Sequence, residues 1–301
     1  MSHDVRGRPR GRSRWAGQRR LLVAAAAVSA VVAAALSPLP SAHGVTSPAV
    51  APAAAEGRSW RAPGTLVLVQ MNLCGSGWAR GCYTFGRSVG EAVTEIHRYS
   101  PDVVTVQEVC RNDVYSADGW GPLARAMGDL YGDNHVFADF VPAADRRTNE
   151  GLRCVSGQFY GIAVIYHDGA AEVHYGWYHS QDSTPEERAW TCVTAVVGRV
   201  TGCTTHLSTD RDVATRQCHE LMSILDSSWV LPEVVVAGDF NLTAGPGGPH
   251  DVRACVPAGY RRVSDDSLQQ VLYTRNVRWV RGGWARMRWT DHPVLYETLR
   301  G

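Results

Sequence analysis

The run Val234-Val235-Val236-Ala237 passes directly into Gly238-Asp239-Phe240-Asn241-Leu242, and this stretch restricts the fold more than any other. A short β-branched apolar run reads as a buried strand, and a glycine after it lets the backbone turn sharply. Asp239 and Asn241 then stand just past a strand end, two residues apart and on one side of an extended chain. Strand ends of α/β sheets are where ligand sites collect. A single Asp after Gly is more often an Asx turn that closes a loop, so the motif gains weight only if other strands end alike.

Several do. Leu66 to Met71 is strand-like and delivers Asn72; after a Gly-rich loop, Cys74 to Gly86, the spacing of Val89, Ala92, Val93, Ile96 and Tyr99 predicts a helix that Pro101 breaks. Val103 to Gln107 is a second buried strand, ending in Glu108. Leu123 to Leu130 reads as a helix and Val136 to Val141 as a strand, with Asp145 to Gly157 a polar loop. Gly161 to Tyr166, Ala189 to Val197 and Arg199 to Thr205 read as strands, the last two as a hairpin whose second arm ends at His206. Ala214 to Trp229 has helical spacing, Val271 to Tyr273 is a strand, and Thr290-Asp291-His292 opens the last strand.

Between those two strands, Gly282-Gly283 separates Val277–Arg281 from Trp284–Arg288, a hairpin signal. Pairing across that turn would put Trp279, Arg281, Trp284, Arg286 and Arg288 on one face, a ladder able to grip phosphates and stack on planar groups. A solvated cation–π surface is the competing reading.

The amino terminus belongs to none of this. Seven arginines lie between Arg6 and Arg20, an uncharged Leu/Val/Ala/Ser run covers Leu21 to Leu36, and small residues with proline follow. That order is an export signal over residues 1–43; the apolar run is shorter than the ~20 residues a spanning helix needs. Residues 44–62, rich in Ala, Pro and Ser, read as a disordered linker. Without the signal the chain has 23 basic and 28 acidic residues, a net charge of about −5, and it contains no Lys. It is therefore not a basic coat for nucleic acid, and a phosphate partner needs a local arginine patch or a bound cation. All eight cysteines lie beyond the signal, without a C-x-x-C pair, which argues for disulfides rather than a metal site. Cys74 with Cys82 and Cys192 with Cys203 are close in sequence; Cys110 with Cys154 and Cys218 with Cys255 follow by elimination.

Hard oxygen donors among Asn72, Glu108, Asp239, Asn241 and Asp291 suit Mg²⁺ or Mn²⁺, and a cation with His206 and His292 can activate water and stabilise a phosphoryl group. The segments Gln70-Met71-Asn72, Gln107-Glu108, Thr205-His206-Leu207, Gly238-Asp239-Phe240-Asn241 and Thr290-Asp291-His292-Pro293-Val294 together resemble the endonuclease/exonuclease/phosphatase superfamily, the deoxyribonuclease-I-like fold. The resemblance spans Leu66 to Leu299. It implies an α/β fold, a four-layer α-β-β-α sandwich of two mixed sheets with helices outside, over a catalytic domain of residues 63–301. It also implies divalent-metal-dependent phosphoester hydrolysis, with Mg²⁺ as the cofactor and Mn²⁺ or Ca²⁺ as alternatives. Carried over, Glu108 looks like the main metal ligand with Asn72 and Asp291 beside it. Asp239 and Asn241 would orient water and phosphoryl oxygens, His292 resembles the general base, and His206 would assist the phosphate or leaving group. One departure stands out. Family members carry an Asp that orients the base histidine, and the matching stretch here puts Gln270 in its place, with Asp265 or Asp266 as substitutes.

The expectation is a secreted monomeric phosphodiesterase without stable membrane insertion. Nucleic acid is favoured over phospholipid as substrate, with Arg281, Trp284, Arg286 and Arg288 as substrate contacts. A sphingomyelinase or phospholipase C-like enzyme is the alternative, and a binding module of the same fold with weakened catalysis is the reading from another class.

Overall fold

Side-chain alternation along the strands sorts the chain into layers. The computed structural model describes residues 64–301, apart from 168–169, 196–199, 228–229 and 246. The expected signal (1–43), the linker (44–62) and the connection of the expected hairpin (196–199) lie outside the described residues. Strands of five or more residues are β1 (Thr65–Asn72), β2 (Val103–Cys110), β3 (Val136–Pro142), β4 (Tyr160–His167), β5 (Ala170–Trp177), β6 (Ala189–Ala195), β7 (Val200–His206), β8 (Glu233–Asp239), β9 (Tyr260–Ser264), β10 (Gln269–Thr274), β11 (Arg278–Arg286) and β12 (Pro293–Arg300). They form one sheet in the order β11-β12-β1-β2-β4-β3 and a second in the order β9-β10-β8-β7-β6-β5.

On β1, Val69 and Met71 face a core shared with α1 (Arg87–Tyr99) and α2 (Pro122–Tyr131), where Ala92, Ile96, Leu123 and Met127 are buried. The alternate residue Leu68 meets Val235, Ala237, Val271 and Leu295 between the sheets. Val234 and Val236 of β8 turn outward under α3 (Arg211–Leu225), against Cys218, Leu221 and Leu225. The result is the four-layer α-β-β-α sandwich that the resemblance implied. Asp210 starts α3 by accepting from the N–H groups of Asp212 and Val213.

Each sheet has one central parallel pair, β1 with β2 and β7 with β8, and its other pairings are antiparallel. The expected disulfides are present. Cys192 and Cys203 are direct cross-strand partners with Cα atoms 4.0 Å apart, and Cys74–Cys82, Cys110–Cys154 and Cys218–Cys255 complete the set. No helix among the described residues is long and apolar enough to cross a membrane.

Three local expectations differ. Gly282-Gly283 is not a turn: β11 runs straight through it, paired to β12 from Arg278 to Arg286 with an irregularity between Trp279 and Arg281. A Cβ on Gly282 would run into the Glu297 carboxylate and one on Gly283 would approach the Tyr296 hydroxyl, so these glycines make room for partner side chains rather than reverse the chain. Register with β12 then puts Trp284 opposite Leu295 and Arg286 opposite Pro293, but Arg281 opposite Thr298, which splits the expected ladder between two faces. Strands β5 and β9 are additional. The stretch expected as loop Asp145 to Gly157 contributes Glu150–Gly151, and at its start Asp145 with the preceding Ala144, to a small sheet with Glu186–Glu187.

Candidate active site

The carboxyl ends of the parallel strands deliver Asn72, Glu108, His206 and Asp239, and the amino ends of their antiparallel neighbours deliver Gln269 and His292. In the second sheet the register sets His206, Asp239 and Gln269 side by side. Gly238 lies within β8 and has no Cβ to meet the Thr205 carbonyl; the left-handed residue is Asn241, with φ 50°. Glu108 would face outward by simple alternation. A bulge between Val106 and Val109 and a φ of 52° at Glu108 turn it instead. The displaced backbone is held by Gly75 N–H donating to the Glu108 carbonyl at 2.7 Å, and a Cβ on Gly75 would stand 2.6 Å from that oxygen.

Asp239 is nearly fully buried (1% exposed) and is surrounded by N–H donors. Its Oδ2 accepts from Asn72 Nδ2 at 2.9 Å and Gln269 Nε2 at 2.8 Å, and its Oδ1 from Asn241 N–H at 3.0 Å. Asn72 Nδ2 also reaches Glu108 Oε1 at 3.1 Å, so one amide bridges two carboxylates. Asn241 Nδ2 donates to the Leu207 carbonyl at 2.8 Å. His292 Nδ1 lies 3.1 Å from Gln269 Nε2 and 3.7 Å from Asp239 Oδ2, while its Nε2 is 3.5 Å from Asp291 Oδ1. Because Asp239 draws the NH₂ end of Gln269 toward itself, the same NH₂ group meets His292 Nδ1, and the ring proton belongs on Nε2.

Gln269, not Gln270, is therefore the residue beside the histidine. Gln270 faces outward, donating to Leu242 and Ser267 carbonyls and accepting from Arg262 Nη1 at 2.8 Å. Consecutive strand residues point to opposite faces, so a one-residue slip in alignment exchanges the two. Asp265 accepts from the N–H groups of Ser267 and Gln269 and holds the turn before β10. Beneath the site, Gln70, Thr105, Gln107, Thr204 and Gln269 form a buried hydrogen-bonded layer between the sheets.

Arg188 carries no local sequence signal that marks it as part of the site. It is 6% exposed, its Nη1 lies 3.1 Å from Glu186 Oε1, and its Nε and Nη1 make no well-directed hydrogen bond. With Tyr160, Glu186 and His206 it lines a cavity of about 10 Å³, the size of one water. Burial, then the Arg188 charge, then His292, hold the His206 pKa well below its usual value, so His206 is neutral. Burial raises the Glu108 pKa; Asn72 opposes this, while the Asp239 and Glu186 charges add to it.

This excess of carboxylate charge and hard oxygen at Glu108 and Asp239 fits the chemistry of a divalent cation, and Asp291 is exposed beside the His292 ring. Asn72 fits less well as a ligand than expected, since its Oδ1 accepts from Cys74 N–H and its NH₂ faces the carboxylates. The group Cys74, Cys82 and Asp291 has ligand atoms close together, but the two sulfurs are bonded to each other and are no metal site. An open cleft of about 570 Å³ flanks His292 and Asp291, with Trp284 and Arg286 on its wall. Arg281 instead lines a separate hollow beside Tyr99 and Glu297. The Arg288 guanidinium lies over the Trp289 ring, 4.6 Å from its centroid.

Two packed mixed sheets with a carboxylate and histidine cluster at their shared end are the architecture of a fold whose members include hydrolases acting on phosphoester bonds. The profile of the Endonuclease/Exonuclease/phosphatase family matches residues 71–294, and the chain belongs to that family, whose enzymes generally use divalent metal ions. Solved structures of the same fold include an endonuclease/exonuclease/phosphatase from Beutenbergia cavernae, with 19% identity, 78% of this chain and 71% of that one covered, and a TM-score of 0.56. The human Nocturnin catalytic domain with bound sulfate shows 12% identity over 79% of this chain and 95% of its own, with a TM-score of 0.56. ANGEL2, a 2′,3′-cyclic phosphatase in complex with adenosine-2′,3′-vanadate, shows 11% identity over 78% and 95%, with a TM-score of 0.54. At these identities the likeness establishes the fold. No curated protein sequence matches the chain.

Proposed function

We propose that the chain is an exported, divalent-metal-dependent phosphodiesterase that cleaves nucleic acid, with an export signal over 1–43, a linker over 44–62 and a catalytic domain over 63–301. The observation that carries this reading is the single hydrogen-bonded cluster of Asn72, Glu108, Asp239, Gln269 and His292 beside an open cleft that presents Trp284 and Arg286. Four disulfides favour an oxidising compartment.

Glu108 and Asp291 would hold Mg²⁺, which when bound supplies positive charge against phosphoryl oxygens. Asp239 orients the attacking water and is the carboxylate placed to take its proton as the new oxygen–phosphorus bond forms and the ester oxygen–phosphorus bond opposite it breaks, the leaving oxygen taking up a proton from solvent water. Asn241, its NH₂ tied to Leu207, offers Oδ1 to the same water. His292 through Nε2, and neutral His206, donate to the phosphoryl oxygens as negative charge gathers there. Donors already fixed by their neighbours need little reorganisation as the reaction proceeds.

A lipid substrate is favoured by a different observation. Trp78 is 44% and Val155 59% exposed, Gly77 packs against the Val155 side chain, and the Trp78 ring lies against Tyr160, which lines the small cavity beside His206. Purified protein is incubated with plasmid DNA, single-stranded DNA, RNA, sphingomyelin vesicles and an aryl phosphodiester, with and without EDTA. Nucleic acid is the substrate expected to turn over, in an EDTA-sensitive manner that Asp239→Ala and His292→Ala abolish. Lipid turnover with intact nucleic acid would replace the nuclease by a phospholipase C-like enzyme, and no EDTA-sensitive turnover would leave a binding module.

A further inference from the structure

The cleft beside His292 is asymmetric. Its wall on β11 carries one indole and one guanidinium, Trp284 and Arg286, two residues apart on the same strand face. Trp284 is 45% exposed, although a tryptophan at this strand position could have packed into the layer between the sheets that its cross-strand partner Leu295 enters. The cleft volume of about 570 Å³ is in the range of a site for one small organic ligand. Of the two carboxylates lining it, Asp265 is turned to its own loop and Asp291 lies against the His292 ring. Arg286 is thus the cation that faces the cleft.

We infer that Trp284 and Arg286 form a subsite for one unstacked nucleotide next to the scissile phosphate, making the enzyme selective for single-stranded nucleic acid. This rests on the nuclease reading above. A duplex keeps its base faces stacked inside, so an indole in a cleft has nothing planar to meet, whereas a single strand can lay a base on it and place the adjoining phosphate on the guanidinium. The rest of the surface points the same way. A chain of about −5 net charge without Lys has only its arginines for the broad phosphate neutralisation on which duplex binding relies, whereas a single strand can also be held by stacking. One stacking platform with one cation is what remains, and base stacking tolerates any sequence.

The test compares kcat/KM of full-length mature protein on a labelled single-stranded oligonucleotide and on the same sequence as a blunt duplex, with Mg²⁺ and at constant salt. Wild type is expected to prefer the single strand at least 10-fold. Trp284→Ala should lower single-strand kcat/KM about 10- to 100-fold, mainly through KM, and bring the ratio toward one, while Trp284→Phe restores most of it. Arg286→Gln should weaken the salt dependence of single-strand KM. Melting curves of each variant separate loss of a contact from loss of fold. Equal cleavage of duplex and single strand, or a ratio unchanged in Trp284→Ala, overturns the subsite while leaving the nuclease reading intact. Intact oligonucleotides alongside turnover of an aryl phosphodiester or of sphingomyelin vesicles overturn both.

Discussion

Gln269→Glu is the sharpest test of how the site is wired. Gln269 is fully buried, with its Nε2 2.8 Å from Asp239 Oδ2 and its Oε1 accepting from Gln70 at 2.8 Å. A glutamate there sets two carboxylates against each other. At 2.8 Å and an effective dielectric of about 20, two unit charges repel by about 6 kcal/mol, an upper bound for the pair. One of them therefore keeps a proton at neutral pH, and its O–H takes the place of the lost N–H donor. The folded state then holds a proton that the unfolded chain releases near pH 4.3, so stability falls as pH rises from about 4 toward about 8. Urea titrations with disulfides intact and EDTA present should put the variant within about 1 kcal/mol of wild type at pH 4.5 and several kcal/mol below it at pH 8. Gln270→Glu is the control. Its new carboxylate faces Arg262 Nη1 and loses the donations to Leu242 and Ser267, giving an offset that does not grow with pH. If Gln269→Glu ran parallel to wild type at every pH while Gln270→Glu fell, Gln270 would be the residue against Asp239 and the site geometry described above would be wrong.

Three further outcomes follow from the same surroundings. Glu108→Gln removes a carboxylate that burial and two like charges disfavour. Its melting temperature in EDTA should match or exceed wild type, yet the upward shift that Mg²⁺ gives wild type should vanish together with turnover. Arg188→Met leaves the half-buried Glu186 without its ion-pair partner, and chemical denaturation should show a loss of about 2–4 kcal/mol that the double variant with Glu186→Gln largely recovers. Glu297 is 3% exposed, accepts from Trp279 Nε1 at 2.6 Å, and has its pKa pushed by burial from 4.5 to about 7. Its raised folded pKa lowers stability as pH climbs through that window, by about 3 kcal/mol in full, so Glu297→Gln should be the more stable chain above pH 7 and lose its advantage below pH 5.

What could be read from residues alone follows the range of the forces involved. Strand ends were legible because β-branched runs such as Val234 to Ala237 stop at polar groups, and that is a local property. The face of Gln269 was not, since period two needs a known starting residue, and Leu268 and Val271 flank the Gln269-Gln270 pair with apolar residues that would point to opposite faces. Gly282-Gly283 carries a strong local turn signal, but Tyr296 and Glu297 on the neighbouring strand decide what those glycines do. The edge strands β5 and β9 mix charged and apolar residues because one side of each meets solvent, so they have no buried run to display. Arg188 has meaning only through Glu186, Tyr160 and His206, the last two from strands far apart in sequence.

The layer between the sheets explains why the reactive groups sit at one end. Leu68, Val103, Val235, Val271 and Leu299 keep part of the layer apolar. Two to four residues further along the inward face, Gln70, Thr105 and Gln107 answer Thr204 and Gln269 across the gap, and the strand ends beyond them carry Asn72, Glu108 and Asp239. A carboxylate placed directly on the apolar layer would meet no donor and would take up a proton. Amides can both donate and accept, so the glutamine layer meets the hydrophobic core on one side and supplies fixed N–H groups to Asp239 on the other. Replacing Gln70 by Leu should therefore act on the site at one remove: it leaves Gln269 Oε1 without the donor it has at 2.8 Å and frees the amide to rotate, placing an oxygen against Asp239. Turnover should fall with little change in KM, and an unaltered kcat would mean that Asp239 alone holds Gln269 in place.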